Sequence, residues 1–374
     1  MQLSSLSVGY TLGIVWVTNT VVRDFTALLF LLTLTLLLGV SYLVWAQKSS
    51  IRQGAANAAS AVRVDILFSH HQYDTDVSTA LFKEKLSQSD IFLMEYPAWS
   101  TEWEKDINAI SRGEMAPSNF LLRWNVSEEE ANTTFQFLKF QVENLYQSHI
   151  FVTSIDLAAD DPLSVAIQDY LPVMDQIQFS TDFTKTLEFE RAKYSYFMNL
   201  QRTRQQQMLQ SFNMLVTAIQ QGELPSVPEK PEINILYLLG SNHVRVYDLL
   251  QQTEAEVTKE YARAPYTYDY AGELTLKFIA EEPVSDLLLA YGLVQTQIMR
   301  TYGLYWSHDK EKPARFLKTV IPAFTLEEIG SLFTTMAQAS NPDMAFMQLY
   351  SRLSVEKELV LPPAKKEEFD NLTI

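Results

Sequence analysis

Four residues are best placed for chemistry: three histidines and a glutamate, each following a short apolar run. His70 and His71 come directly after residues 62–69 (V-R-V-D-I-L-F-S), Glu95 follows Ile91–Met94 (I-F-L-M), and His243 stands just beyond residues 233–239 (I-N-I-L-Y-L-L). Such runs read as strands buried on both faces, with Gly240 ending the last in a tight turn. Side chains at the carboxyl ends of buried strands face the crevice where α/β proteins bind ligands. Neutral imidazole is the commonest transition-metal ligand and carboxylates complete such sites, so these four residues are candidate ligands of a divalent metal ion. His243, where strand turns into helix, has the best position. Arg202 and Arg204 lie on the helical stretch that leads to the same strand. If that helix packs back across the sheet, one of them reaches the crevice, to hold an anion or to orient Glu95.

The elements that must position these residues follow from apolar period and capping signals. Strand 62–69, helix 78–86 and strand 91–94 form a strand–helix–strand unit, right-handed and parallel by default. Ser127 and Glu130 form a capping box for a helix expected to run to about His149, and residues 150–155 read as a further strand. Thr181 or Asp182 then caps a very long helix reaching Gln221 and closed by Gly222 and Pro225. Phe183, Leu187, Tyr194, Phe197, Met208, Phe212, Leu215 and Ile219 give it an apolar stripe. Residues 223–232, with three prolines, are a loop into the central strand. Beyond Leu250, residues 261–270 read as an ordered, tyrosine-rich loop, followed by helices over 284–302, 326–339 (Thr325 and Glu328 as capping box) and 343–358. Residues 361–374 have the composition of a disordered tail. The expected fold class is α/β, a mostly parallel sheet flanked by helices, with one N-terminal transmembrane helix.

The membrane helix is read from residues 25–46, an uncharged run long enough to span roughly 30 Å of hydrocarbon. Tyr42 and Trp45 stand near one end, as interfacial aromatics do. Residues 1–24 form a short N-terminal segment, 47–61 a linker, and 62–360 the main domain. Lys48 and Arg52 follow the span while Arg23 alone precedes it, so the positive-inside rule leans toward a cytoplasmic domain on a single-pass membrane protein. The net charge of -16 falls after the span and argues against nucleic acid as partner. With no cysteine there is no disulfide, thiolate metal site or cysteine nucleophile. Neither a Gly-rich phosphate loop nor G-x-S-x-G or H-E-x-x-H occurs.

The order of the pieces is more specific than any one of them. Strand with His, strand with Glu, long helix with Arg and Met, then strand with G-x-x-H resembles the TraB/Tiki-like superfamily. That group comprises pheromone-shutdown TraB proteins, Tiki-type metalloproteases, ChaN-type haem-binding proteins and erythromycin esterases. The helix R-T-R-Q-Q-Q-M and the strand I-L-Y-L-L-G-S-N-H carry the resemblance, which spans about residues 62–250. Phe68 stands where the first motif has glycine, and no glutamate immediately precedes the helix arginine. The resemblance implies a membrane-anchored, metal-dependent hydrolase, a peptidase of Tiki type. His71, Glu95 and His243 would hold the ion, and Glu95 and Arg204 would serve catalysis, Arg204 steadying the developing anion. A non-enzymatic binder of a peptide or a haem-like small molecule, and a degenerate structural member, are the alternatives it leaves.

Overall fold

A computed structural model of the 374-residue chain describes residues 60–69, 79–95, 100–131, 135–262, 267–303, 311–363 and 365–373. The expected membrane span at 25–46, most of the linker, and His70 and His71 lie outside the described residues. Among the described residues no helix is long and apolar enough to cross a membrane.

Among the described residues the sheet has five strands, all parallel: β1 (Ala61–Ser69), β2 (Ile91–Met94), β3 (Phe151–Thr153), β4 (Glu232–Gly240) and β5 (Glu256–Tyr261), in the order β3-β2-β4-β1-β5. β4 is therefore flanked by β2 and β1, and Leu236, Tyr237 and Leu239 on it have no exposed surface. Burying a side chain of this size contributes about 1.5–3 kcal/mol, which is why the run carries no polar face. Ser69 pairs with Gly240 and Met94 with Leu238, so the carboxyl ends of β1, β2 and β4 stop at nearly one level.

Alternate residues of these strands enter two cores. Leu67, Phe92, Leu236 and Leu238 meet α1 (Ala80–Ser87), α2 (Thr101–Ser111), α3 (Pro117–Arg123) and α4 (Gln136–Leu145) on one face. Ile66, Phe68, Leu93 and Tyr237 meet the second half of the long helix and α7 (Val244–Leu250) on the other. The connection from β1 passes one face to reach β2, and that from β4 passes the opposite face to reach β5. Between the neighbours β4 and β1 the chain thus leaves in opposite directions, the arrangement that opens a ligand crevice at the strand ends. The edge strand β3 is closed off by Asn108, whose side chain accepts from Val152 N (2.8 Å) and donates to Val152 O (2.7 Å).

After α5 (Pro162–Met174) comes α6 (Phe183–Gln220), whose 38 residues extend about 57 Å at about 1.5 Å per residue. Asp182 caps it by accepting from Thr184 N at 3.0 Å, and Gly222, at φ +64°, follows its end. Leu187, Tyr194 and Phe197 of its first half pack into a purely helical core, while Met208, Phe212 and Ile219 of the second half cover the sheet. That helical core gathers α5, α8 (Tyr270–Ile279), α9 (Asp286–Tyr302), α10 (Glu311–Val320), α11 (Leu326–Gln338) and α12 (Pro342–Glu356). The capping box of Thr325 and Glu328 forms as the sequence indicates.

Three expectations need correction. The Ser127–Glu130 capping box forms, yet its helix is short (Glu128–Ala131), and α4 ends at Leu145 rather than near His149. Gln147 and His149 take positive φ, and their amides bond to Ile110 O and Ser111 O, so α2 captures the backbone that would have continued the helix. β5 is a strand where no strand was expected; its partly exposed E-V-T-K-E-Y pattern belongs to an edge. The C-terminal residues are not a featureless tail: α13 (Lys366–Asn371) forms and buries Phe369 against Phe316, with ring centroids 5.6 Å apart.

Candidate functional site

Glu95 leaves the end of β2 with the parity of Ile91 and Leu93, so its carboxylate turns to the face covered by α6. There Oε2 accepts from Gly240 N at 2.7 Å, tying the end of β2 to the end of β4. Oε1 accepts from Arg204 Nη2 at 3.1 Å and lies 3.0 Å from His243 Nε2. His243 ends the single turn Ser241–His243 that joins β4 to α7, and its Nδ1 is 3.3 Å from Gln205 Nε2. An ionised carboxylate only accepts, so Nε2 carries the proton it gives to Glu95. In the tautomer with that proton on Nε2 the lone pair is on Nδ1, facing the Gln205 amide.

Arg204 is buried at the middle of α6, and four of its five guanidinium N–H groups meet protein acceptors. Nε donates to Asp156 Oδ1 at 2.8 Å, Nη2 donates to Asp156 Oδ2 as well as to Glu95, and Nη1 donates to Gln201 Oε1 at 3.3 Å. Burial alone would lower its pKa, but the Asp156 hydrogen bonds and charge, with Glu95 behind them, outweigh this and hold it above the usual arginine value. With these partners Arg204 orients Glu95. Arg202, two residues earlier, bonds Phe278 O at 2.8 Å on the outer side of α6 and takes no part. Below the cluster the Tyr237 hydroxyl is buried and makes no hydrogen bond among the described residues. Burial, and then the charges of Glu95 and Asp156, push its pKa well up, so it stays protonated.

Of the expected site residues, the fold brings together Glu95, Arg204 and His243, and His71 lies outside the described residues. Asp156, Gln201 and Gln205 were not anticipated. Asp156 comes directly after Ile155 at the close of the expected strand 150–155, the same position that singled out Glu95. Gln201, Arg204 and Gln205 fill buried positions of the α6 stripe between Phe197 and Met208, and that polar interruption was the available signal.

A divalent ion would need His243 and Glu95 to aim at a common third point. They face each other instead, and both ring nitrogens of His243 are engaged, so the pair as arranged does not fit an ion. Among the described residues no group of three histidine, cysteine, aspartate or glutamate side chains is placed to hold a metal. In comparisons with known proteins, no family model matches the chain, and neither a curated protein nor a solved structure is significantly similar to it.

Proposed function

We propose that the protein is a hydrolase in which His243 and Glu95 form the acid–base pair. The observation that carries this reading is the 3.0 Å contact between His243 Nε2 and Glu95 Oε1 at the carboxyl ends of β2 and β4. A carboxylate that fixes one imidazole proton leaves the other nitrogen as base and stabilises the imidazolium formed when it acts. A water replacing the Gln205 amide at Nδ1 would give its proton to that nitrogen and add its oxygen to a substrate carbonyl. Collapse of the adduct breaks the bond to the leaving group, and the Nδ1 proton passes to that group, restoring neutral His243. The carbonyl substrate is a peptide on the resemblance described above, and the membrane tether at residues 25–46 belongs to the same proposal.

A metal-dependent form, with His71, Glu95 and His243 as ligands, would require His243 to release Glu95 or Gln205. The test is turnover of a peptide library and a panel of simple esters by the purified full-length chain, with and without added divalent ions. Hydrolysis that His243→Asn abolishes supports the reading. Hydrolysis that appears only on adding metal favours the ion-bound form. Tight retention of a peptide or haem-like ligand without turnover replaces it with the binding protein.

A further inference from the structure

We propose that Asp156 is a positioning residue which, through Arg204 and Glu95, fixes the proton on His243 Nε2. The inference rests on the His243–Glu95 pair proposed above and adds what keeps that pair in register.

Asp156 is itself built to stay still. Its side chain has no exposed surface, and Leu157 N donates to Oδ1 at 2.8 Å while Asp156 N donates to Ser154 Oγ at 3.1 Å. Onto this fixed carboxylate Arg204 lays a two-pronged fork, Nε to Oδ1 and Nη2 to Oδ2. A guanidinium is planar, so fixing two of its N–H groups also fixes the rest. The second hydrogen of Nη2 is thereby aimed at Glu95 Oε1, 3.1 Å away. Glu95 is then held at two points, Arg204 on one oxygen and Gly240 N on the other, with Oε1 turned toward His243.

Charge works in the same direction. Asp156 shares the Arg204 cation with Glu95, so that the Glu95 charge also acts on the imidazole. Without Asp156, Arg204 has one carboxylate to serve, and the favoured arrangement is a fork on Glu95 itself. Such a fork takes Glu95 away from both His243 and Gly240. Asparagine at 156 keeps the shape but turns one acceptor into a donor facing Nη2, which breaks the Asp156 fork.

The experiment uses the full-length chain with 15N label confined to its five histidines, the His243 signals being assigned with His243→Asn. In the parent, His243 is expected to show one neutral tautomer, protonated on Nε2 and bare on Nδ1. In Asp156→Asn, with far-UV circular dichroism unchanged, the expected result is loss of that single form and a mixture of both tautomers. Arg204→Lys retains the charge without the fork and is expected to do the same; it decides by the same signal should Asp156→Asn not fold. A folded variant that keeps the parent tautomer overturns the role of Asp156 while leaving the His243–Glu95 pair standing. A parent signal with the proton on Nδ1 overturns the pair itself, and the role of Asp156 with it.

Discussion

Arg204 Nη2 reaches Glu95 Oε1 at 3.1 Å although 109 positions separate the two residues. The contact exists because α6 crosses the sheet with its middle above the carboxyl ends of β2 and β4, where its apolar stripe gives way to Gln201, Arg204 and Gln205. The same helix packs the helical core with its first half, so the site lies where the two cores meet.

Removing the cation should be costly. Arg204→Met leaves Glu95 and the buried side chain of Asp156 without their shared partner, and breaking a buried pair in this way costs about 3–5 kcal/mol. Urea unfolding of the variant against the parent measures it. A loss below about 1 kcal/mol would mean that water already reaches these carboxylates.

Tyr237→Phe should be close to neutral. The hydroxyl makes no hydrogen bond among the described residues, so its loss is expected to change stability by no more than about 1 kcal/mol, with a small gain as readily as a small loss. A loss of about 2 kcal/mol or more in the same unfolding assay would show that the hydroxyl has a partner worth keeping.

A pH signature follows from Glu190, which burial pushes above its ordinary value of 4.5 against the opposing pull of Lys193. A carboxylate whose folded pKa is raised contributes stability below its unfolded value and loses it as pH rises through the folded one. The parent should therefore lose a small stabilising contribution as pH rises above 4.5 that Glu190→Gln does not lose. Lys193 keeps the carbonyls of Met174 and Gln176, each at 3.0 Å, so the variant does not strand it. Unfolding midpoints of both proteins from about pH 4 to pH 7 are expected to diverge in favour of the variant. Parallel curves would contradict the raised value.

Residues 60–374 should fold when expressed without what precedes them. Ser60–Ile374 forms one compact unit with its own cores, and the uncharged run at 25–46 is absent from it. A monodisperse peak in size-exclusion chromatography with a cooperative thermal transition is expected; aggregation without a transition would contradict it.

The three inner strands were legible because burial on both faces leaves an unbroken apolar run, as in I-F-L-M and I-N-I-L-Y-L-L. Glu95 and His243 were legible for the same reason, standing at the ends of those runs. β5 was not, since an edge strand buries little and Lys259 and Glu260 interrupt its pattern. Composition misled at the C-terminus, where the burial of one aromatic, Phe369, docks a short helix in an otherwise polar stretch. Only the resemblance separated Arg204 from Arg202 in the sequence; in the structure helix phase sends Arg202 to the outer side near Glu281 and Arg204 to Glu95. Asp156 escaped although it stands directly after the expected strand 150–155, as Glu95 stands after its own run; the strand that forms, Phe151–Thr153, is shorter and leaves Asp156 three residues past its end.

The pairing of His243 with Glu95 is tested most directly by a double-mutant cycle on hydrolysis, using the best substrate from the peptide and ester panel. Each of His243→Asn and Glu95→Gln should lower kcat by on the order of 100-fold or more. The double variant should be no slower than His243→Asn alone, because groups that act as one unit are lost as one. Losses that multiply in the double variant would show that the two residues act separately and would contradict the pair.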